Sequence, residues 1–243
     1  MEMGLVMIGR RGAVTGAGAA ALAGCAQQPA TLPANTTPRL GPNRTGYLII
    51  DAPIVSRVRD LFIGHVDRLL QQDAAEVYVL ISSPGGSVGA AQDMINYVDR
   101  THAARGVKFT MHNTRLVASA ACYVFLAAQR RLSVPGSAFL FHEASLVSSG
   151  PLTSQNLQEA GAVVQEIERG FTNMLTSKTR LTAAEAGSFI RRTVILSADE
   201  ARRDGVVEAV SGFALPSGAT IYQIKASTTP GAAASPARPA SGG

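Results

Sequence analysis

Short apolar runs alternate along the chain with stretches in which apolar residues recur every three or four positions. Tyr47-Leu48-Ile49-Ile50 reads as a strand, and Val58, Leu61, Phe62, Val66, Leu69 and Leu70 then fall on one face of a helix. Glu76-Val77-Tyr78-Val79-Leu80-Ile81-Ser82 is a second, buried strand. Strand, helix, strand is a βαβ unit, whose parallel pair requires the crossover helix. The unit repeats: residues 88–98 carry a helical pattern, and residues 107–111 read as a strand. Residues 120–128 are an apolar run of helical length, and residues 131–134 and 138–142 continue the sheet. The alternation predicts an α/β fold.

Beyond the sheet, Leu157, Ala160, Val164, Ile167, Phe171 and Met174 recur at alternating steps of three and four. That spacing fits a heptad-like seam between helices, and it also fits a helix packed on its own domain. Ser197 and Glu200 have the spacing of a capping box, which predicts a helix start there.

The two ends have a different texture. Arg10-Arg11 precede a weakly apolar Ala/Gly run that leads into Leu22-Ala23-Gly24-Cys25. This is the layout of a targeting segment, too short in apolar length to span a bilayer. The tetrad resembles a bacterial lipobox, in which the cysteine is acylated, and the paired arginines resemble a twin-arginine export signal. Residues 27–45 hold four prolines among Thr and Asn, the composition of a tether. The chain beyond Tyr222 is rich in Ala, Pro, Ser and Gly and is expected to be disordered. The division expected is a leader over 1–24, a tether over 25–45, a domain over 46–222 and a tail over 223–243.

Composition narrows the function. With 243 residues and 46% hydrophobic content there is room for one domain with a sizeable core. The formal net charge is +5, but no stripe of Lys and Arg with interleaved aromatics is present, so nucleic acid is not an expected partner. With Cys25 assigned to lipid, Cys122 stands alone; no disulfide is expected, and Cys122 reads as a small buried hydrophobe.

The candidate chemistry lies at the ends of the central strands. Ser119, between small residues and directly before the apolar run, is placed at a helix N-terminus, where unpaired N–H groups favour negative charge. The second strand runs into Ser83-Pro84-Gly85-Gly86-Ser87, whose glycines let backbone amides approach a ligand. Ala138-Phe139-Leu140-Phe141-His142 delivers an imidazole at a strand end. A nucleophile, a base and amide donors are the components of acyl transfer. Of the other histidines, His65 lies in the first helix and His102 in a polar turn. His112, just past a strand end, is the serious competitor to His142.

The Ser-Pro-Gly-Gly-Ser turn, the Ala-Ser-Ala-Ala segment around Ser119 and the Phe-Leu-Phe-His strand, in this order, resemble the proteolytic subunit of Clp protease, of the ClpP/crotonase fold. The likeness runs from about Tyr47 to Val210 and includes Leu196-Ser197-Ala198-Asp199-Glu200-Ala201 followed by Asp204-Gly205-Val206-Val207. The resemblance implies stacked βαβ units, with Ser119 as nucleophile, His142 as general base, and the amides of Gly86 and Ala120 as the oxyanion hole. It also implies that the long helix over 157–174 is the handle along which subunits meet, hence a homo-oligomer. No metal or cofactor is expected.

One part of the pattern is missing. Where the family has its triad aspartate, this chain has Thr193, which can accept a hydrogen bond from His142 but carries no charge. Glu143 neighbours His142 and should point to the opposite face of the strand, whereas Asp199 opens the next helix and is the other acid within reach. The expectation is a lipid-anchored, ATP-independent serine peptidase on the periplasmic side of a bacterial envelope, acting on peptides or loosely folded chains. The alternative is a catalytically weak or inactive scaffold or peptide-binding lipoprotein. Acyl-thioester chemistry on the same fold has no use for a serine nucleophile, so Ser119 with His142 argues against it.

Overall fold

A computed structural model describes residues 37–145 and 153–226. The proposed leader, Cys25, most of the tether and nearly all of the tail lie outside these described residues.

The core is a sheet in the order β6-β5-β3-β2-β1-β8. Its strands are β1 (Thr45–Asp51), β2 (Glu76–Ser83), β3 (Lys108–Ala118), β5 (Ala138–Phe141), β6 (Val194–Ser197) and β8 (Ile221–Lys225). Two further strands, β4 (Arg130–Ser133) and β7 (Ala209–Val210), pair off this path, β4 with β3 and β7 with β4. Every pair is parallel except β5–β6. Because helices cover such a sheet, its central strands read as continuous apolar runs. In β2, Val77, Val79, Leu80 and Ile81 are all buried.

Helix α1 (Ser56–Leu70) crosses from β1 to β2, and α2 (Val88–Arg105) from β2 to β3. Ser87 caps α2 by accepting the Ala90 amide, and Gly106, at φ 67°, ends it. Helix α3 (Ala120–Leu126) is buried over its whole length, which explains an apolar run with no polar face. The remaining helices are α4 (Ser154–Lys178), α5 (Ala183–Arg191) and α6 (Ala198–Arg203). The capping box read at Ser197 and Glu200 is formed at the start of α6, and Thr182 with Glu185 forms a second at the start of α5.

Strand β3 is longer than the sequence pattern suggests, and it is forked. Where β2 advances from Ile81 to Ser83, β3 advances from Asn113 to Val117, so a bulge intervenes. Before the bulge β3 pairs with β4, and after it with β5. The fully buried Asn113 stitches the fork: its Nδ2 donates to the Ala138 carbonyl at 2.9 Å and its Oδ1 accepts the Arg115 amide at 3.0 Å. His112, expected past a strand end, is thereby an interior strand residue.

The domain edges also move. Arg39 and Thr220 exchange hydrogen bonds, so the last part of the expected tether is held on the domain. Gln223 to Lys225, expected in the tail, belong to β8, which pairs with β1. Apolar Ile221, Tyr222 and Ile224 form too short a run to stand out before an Ala/Pro/Ser-rich end.

Candidate functional site

Ligand sites in parallel sheets gather at the carboxyl ends of the strands. Here β2 ends at the glycine turn, β3 at Ser119 and β5 at His142. The register Ala118↔Leu140 and the hydrogen bond from the Ser119 amide to the Leu140 carbonyl (2.7 Å) put Ser119 and His142 on adjoining strand ends.

Ser119 is the N-cap of α3 with φ 58° and ψ −131°, a backbone conformation that side-chain-bearing residues rarely adopt. Such a residue stores about 1–3 kcal/mol of strain, held in place by the packing around it. Its side chain makes no cap bond; it is 1% exposed, and among the described residues its Oγ has no hydrogen-bond partner.

The turn after β2 presses on this serine. A Cβ on Gly85, whose φ is 90°, would lie 2.5 Å from the Ser119 Cβ and 2.6 Å from the Ala118 carbonyl oxygen. Gly86, at φ 145°, bridges to Ile54, but the bonds of that bridge use the Gly85 carbonyl and the Ser87 amide. The Gly86 N–H is therefore turned away from it. Ala120 opens α3, so its N–H has no carbonyl one turn back to bond. Ala120 directly follows the expected nucleophile, and Gly86 belongs to the turn whose Gly85 presses on it.

His142 is 8% exposed, and its Nδ1 lies 2.8 Å from the carbonyl of Glu143. A carbonyl only accepts, so Nδ1 carries a proton, which in the neutral imidazole leaves Nε2 as the acceptor. Thr193 does not make the bond the sequence suggested for it. The β5–β6 ladder ends at Phe141↔Val194, so Thr193 and His142 are the next residues outward on facing strands. Thr193 is exposed, and among the described residues its hydroxyl has no partner, since the imidazole is already held by its neighbour's carbonyl. Asp199 is placed worse. In the antiparallel ladder Ser197 faces Ala138, four residues up β5 from His142, or about 13 Å along a strand.

The other histidines have structural tasks. His112 is fully buried, with Nδ1 2.6 Å from the Tyr78 hydroxyl and Nε2 3.0 Å from the Ser211 carbonyl. His65 stacks on Tyr222 at 4.2 Å, and His102 bonds the Val107 carbonyl. Cys122 is buried against the Val117 and Leu140 carbonyls, and burial pushes its thiol pKa up, as expected of a hydrophobe rather than a second nucleophile.

One feature the sequence reading missed is a groove of about 1090 Å³ that begins beside the glycine turn at Ser87 and Val88. It runs between α2 and α4, with Ile167, Phe171 and Met174 on its far wall. Tyr123, one helical turn beyond Ser119, is a second: its buried hydroxyl has no hydrogen-bond partner among the described residues. Among the described residues no cluster of His, Cys, Asp or Glu is arranged to hold a metal ion.

Comparison with known proteins places these features in context. The family model described as Clp protease matches residues 43–212. An ATP-dependent Clp protease proteolytic subunit from Paracoccus denitrificans is 28% identical over 46% of this chain, and the match spans 55% of that protein's length. The proteolytic subunit 3 of Rhizobium etli is 25% identical over 67% of this chain and 82% of its own length. Among solved structures, a ClpP1 mutant from Listeria monocytogenes superposes with a TM-score of 0.57 at 21% identity, covering 70% of this chain and 92% of that one.

Proposed function

This chain belongs to the Clp protease family, and from that premise we propose that it is a serine peptidase working through an acyl-enzyme with a Ser-His pair and no triad acid. Ser119 Oγ attacks the peptide carbonyl and its proton passes to Nε2 of His142. The Gly86 and Ala120 amides receive the oxyanion. His142 then protonates the leaving amine, and water attacks the acyl-enzyme by the same route. The Glu143 carbonyl, rather than Thr193, fixes the imidazole tautomer. It offers only a dipole to the imidazolium, where a carboxylate offers a full charge, so turnover is slow. In a well-characterised serine protease, replacing the acid costs roughly 10⁴ in turnover.

The observation that carries this reading is Ser119: a strained strand-to-helix turn holding a buried hydroxyl that has no hydrogen-bond partner among the described residues. A residue kept this way only for packing gains nothing from the strain. The test is labelling with a fluorophosphonate probe. Wild type reacts and Ser119→Ala does not; an unreactive wild type with intact fold overturns the reading.

A second reading has its own support. Ser119 Oγ is not bonded to His142, and the acid is absent, as in a fold retained for binding peptides rather than cutting them. The same labelling experiment separates the two.

The setting is part of the proposal. Acylation of Cys25 would anchor the domain to a bacterial envelope membrane, facing the periplasm, where ATP-driven unfolding is not available and peptides or loosely folded chains are the substrates. Among the described residues no helix is long and apolar enough to cross a membrane. Replacing Cys25 with Ala should abolish metabolic labelling by palmitate and release the protein from membranes; unchanged membrane association would refute the anchor. Assembly into a homo-oligomer is supported by α4, where Leu157 and Val163 are 54% and 45% exposed on the isolated chain.

A further inference from the structure

The amino edge of the sheet, opposite the edge that carries Ser119, gathers cations that no ion pair uses. In register, Thr45 of β1 faces Glu76 of β2, which faces Lys108 of β3, so the three strands begin level with one another. Arg44 directly precedes β1, and its carbonyl accepts the Ala75 amide at 3.0 Å; the Ala75 carbonyl in turn accepts the Lys108 amide at 3.0 Å. Arg44 and Lys108 thus stand two strand spacings apart, about 10 Å. Arg105, at the end of α2, lines a pocket of about 260 Å³ together with Arg44, Asp73, Ala75 and Val107. Lys108 follows Val107 and completes the group.

Arg44, Arg105 and Lys108 are exposed, and among the described residues none of them has a salt-bridge partner. The neighbouring acids do not neutralise them. Glu76 is committed to the sheet: its Oε1 accepts the Thr110 hydroxyl at 2.5 Å and its Oε2 the Thr45 hydroxyl at 3.4 Å. That leaves Asp73 as the one acid lining the pocket, against three cations. A cation in the last turn of a helix complements the helix dipole, which accounts for Arg105. Arg44 and Lys108 belong to no α-helix, so that reason does not cover them. Like charges gathered this closely repel, and an anion between them relieves the repulsion.

We propose that this pocket receives the phosphate of an anionic lipid headgroup, held by Arg44 and Arg105 with Lys108 beside it, so that the domain rests its amino edge on a membrane. Guanidinium groups make the paired, charge-assisted hydrogen bonds that phosphate oxygens accept. The route of the chain selects a membrane over a free anion: residues 37–44 enter β1 at this edge, so the segment that carries Cys25 joins the domain here. The choice of ligand source thus rests on the anchoring at Cys25 proposed above. Strand β3 then runs away from the bilayer over Lys108–Ala118, about 30 Å, and holds Ser119 toward the aqueous side. Contact of this kind is reversible and screened by salt, so it orients a tethered domain and does not by itself retain a free one.

The test uses the full chain carrying Cys25→Ala, in which no acyl group contributes, with vesicles of phosphatidylcholine alone or with about one third phosphatidylglycerol. Co-sedimentation should show binding to the anionic vesicles and none to the neutral ones, weakening as salt is raised. Arg44→Gln, Arg105→Gln and Lys108→Gln should each lower the partition coefficient about fivefold, and the three together about a hundredfold. Removing three exposed cations elsewhere, with Arg57→Gln, Arg115→Gln and Arg169→Gln, should lower it by no more than about twofold. Should the triple variant misfold by circular dichroism, the single variants decide. Equal binding to both vesicles, binding to neither, or the same loss in the two triple variants overturns the inference. So does complete displacement by inorganic phosphate at constant ionic strength, or tighter retention on a DNA duplex than on the anionic vesicles. Absence of palmitate labelling in the wild type, with vesicle binding intact, overturns the anchor alone.

Discussion

A methyl group at Gly85 has no room: it would overlap the Ser119 Cβ and the Ala118 carbonyl, on a backbone at φ 90°. Gly85→Ala should therefore reduce fluorophosphonate labelling at least tenfold and lower the Tm, whereas Gly89→Ala, where a Cβ meets only the Ser87 hydroxyl at 3.9 Å, should change neither measurably. Thr193→Asp tests the proposed Ser-His pair in the opposite direction. A carboxylate there has to draw Nδ1 away from the Glu143 carbonyl, 2.8 Å from it, and is itself solvated. The expected gain in turnover of a small peptide ester is about tenfold, far below the roughly 10⁴ a fully formed triad acid carries. The gain must vanish when Ser119 is also replaced by Ala. No gain, with the fold intact, would show that the histidine stays with its neighbour's carbonyl.

Two elements carry the precision of the site. The β3 fork sets β5 against β3, and with it His142 against Ser119; Asn113 holds the fork with both ends of its amide. Asn113→Leu leaves the Ala138 carbonyl and Arg115 amide without their partner, and should cost about 2 kcal/mol in urea unfolding. A stability like wild type would show the bulge holds by itself. Helix α4 is the second. Val164 and Ile167, expected in an intersubunit seam, pack partly on the chain's own core, while Leu157 and Val163 remain exposed. Glu at both Leu157 and Val163 should then shift the particle to smaller species in analytical ultracentrifugation while the protomer stays folded; an unchanged sedimentation coefficient would remove this face from the interface. Periodicity made the strands β1, β2 and β5 and the helices α1, α2 and α4 legible, because each buries one continuous face or run. The fork was not, since polar His112, Asn113, Thr114 and Arg115 read as the end of a strand, although the first two are buried and paired across the sheet. The glycine turn was legible because its backbone demands the residue type, at Gly85 and Gly86, whereas Ser119 was legible from its place directly before an apolar run and against its backbone preference. The orientation of His142 was not, because a carbonyl acceptor leaves no trace in a sequence.

For the molecule as a whole, acid sensitivity should arise from histidines away from the site. Burial lowers the pKa of His65 and of His112; Arg68 reinforces it at the first and Arg130 at the second, while the Ser211 and Ser133 carbonyls oppose it at the second. Above pH about 6.5 both folded and unfolded forms are neutral at these groups. As pH falls below that, the unfolded chain takes up protons that the folded chain resists, and stability declines until the lowered folded values are reached. Calorimetry should find a Tm that is level from pH 8 to 7 and drops below 6.5, with a shallower drop in His112→Gln; an equal slope would remove His112 as a cause. The order of strands has a further result, in time rather than in space. The first strand of the sheet pairs with the last, Tyr47 with Ile221 and Asp51 with Lys225, so the edge of β1 stays open until nearly the whole domain has been synthesised. A nascent chain halted near residue 215 would present that bare edge to any extended segment it meets, and closure over such a separation is intrinsically slow. Strand β8 thus acts as the final latch of biosynthesis, and the domain stays incompletely folded until that latch emerges.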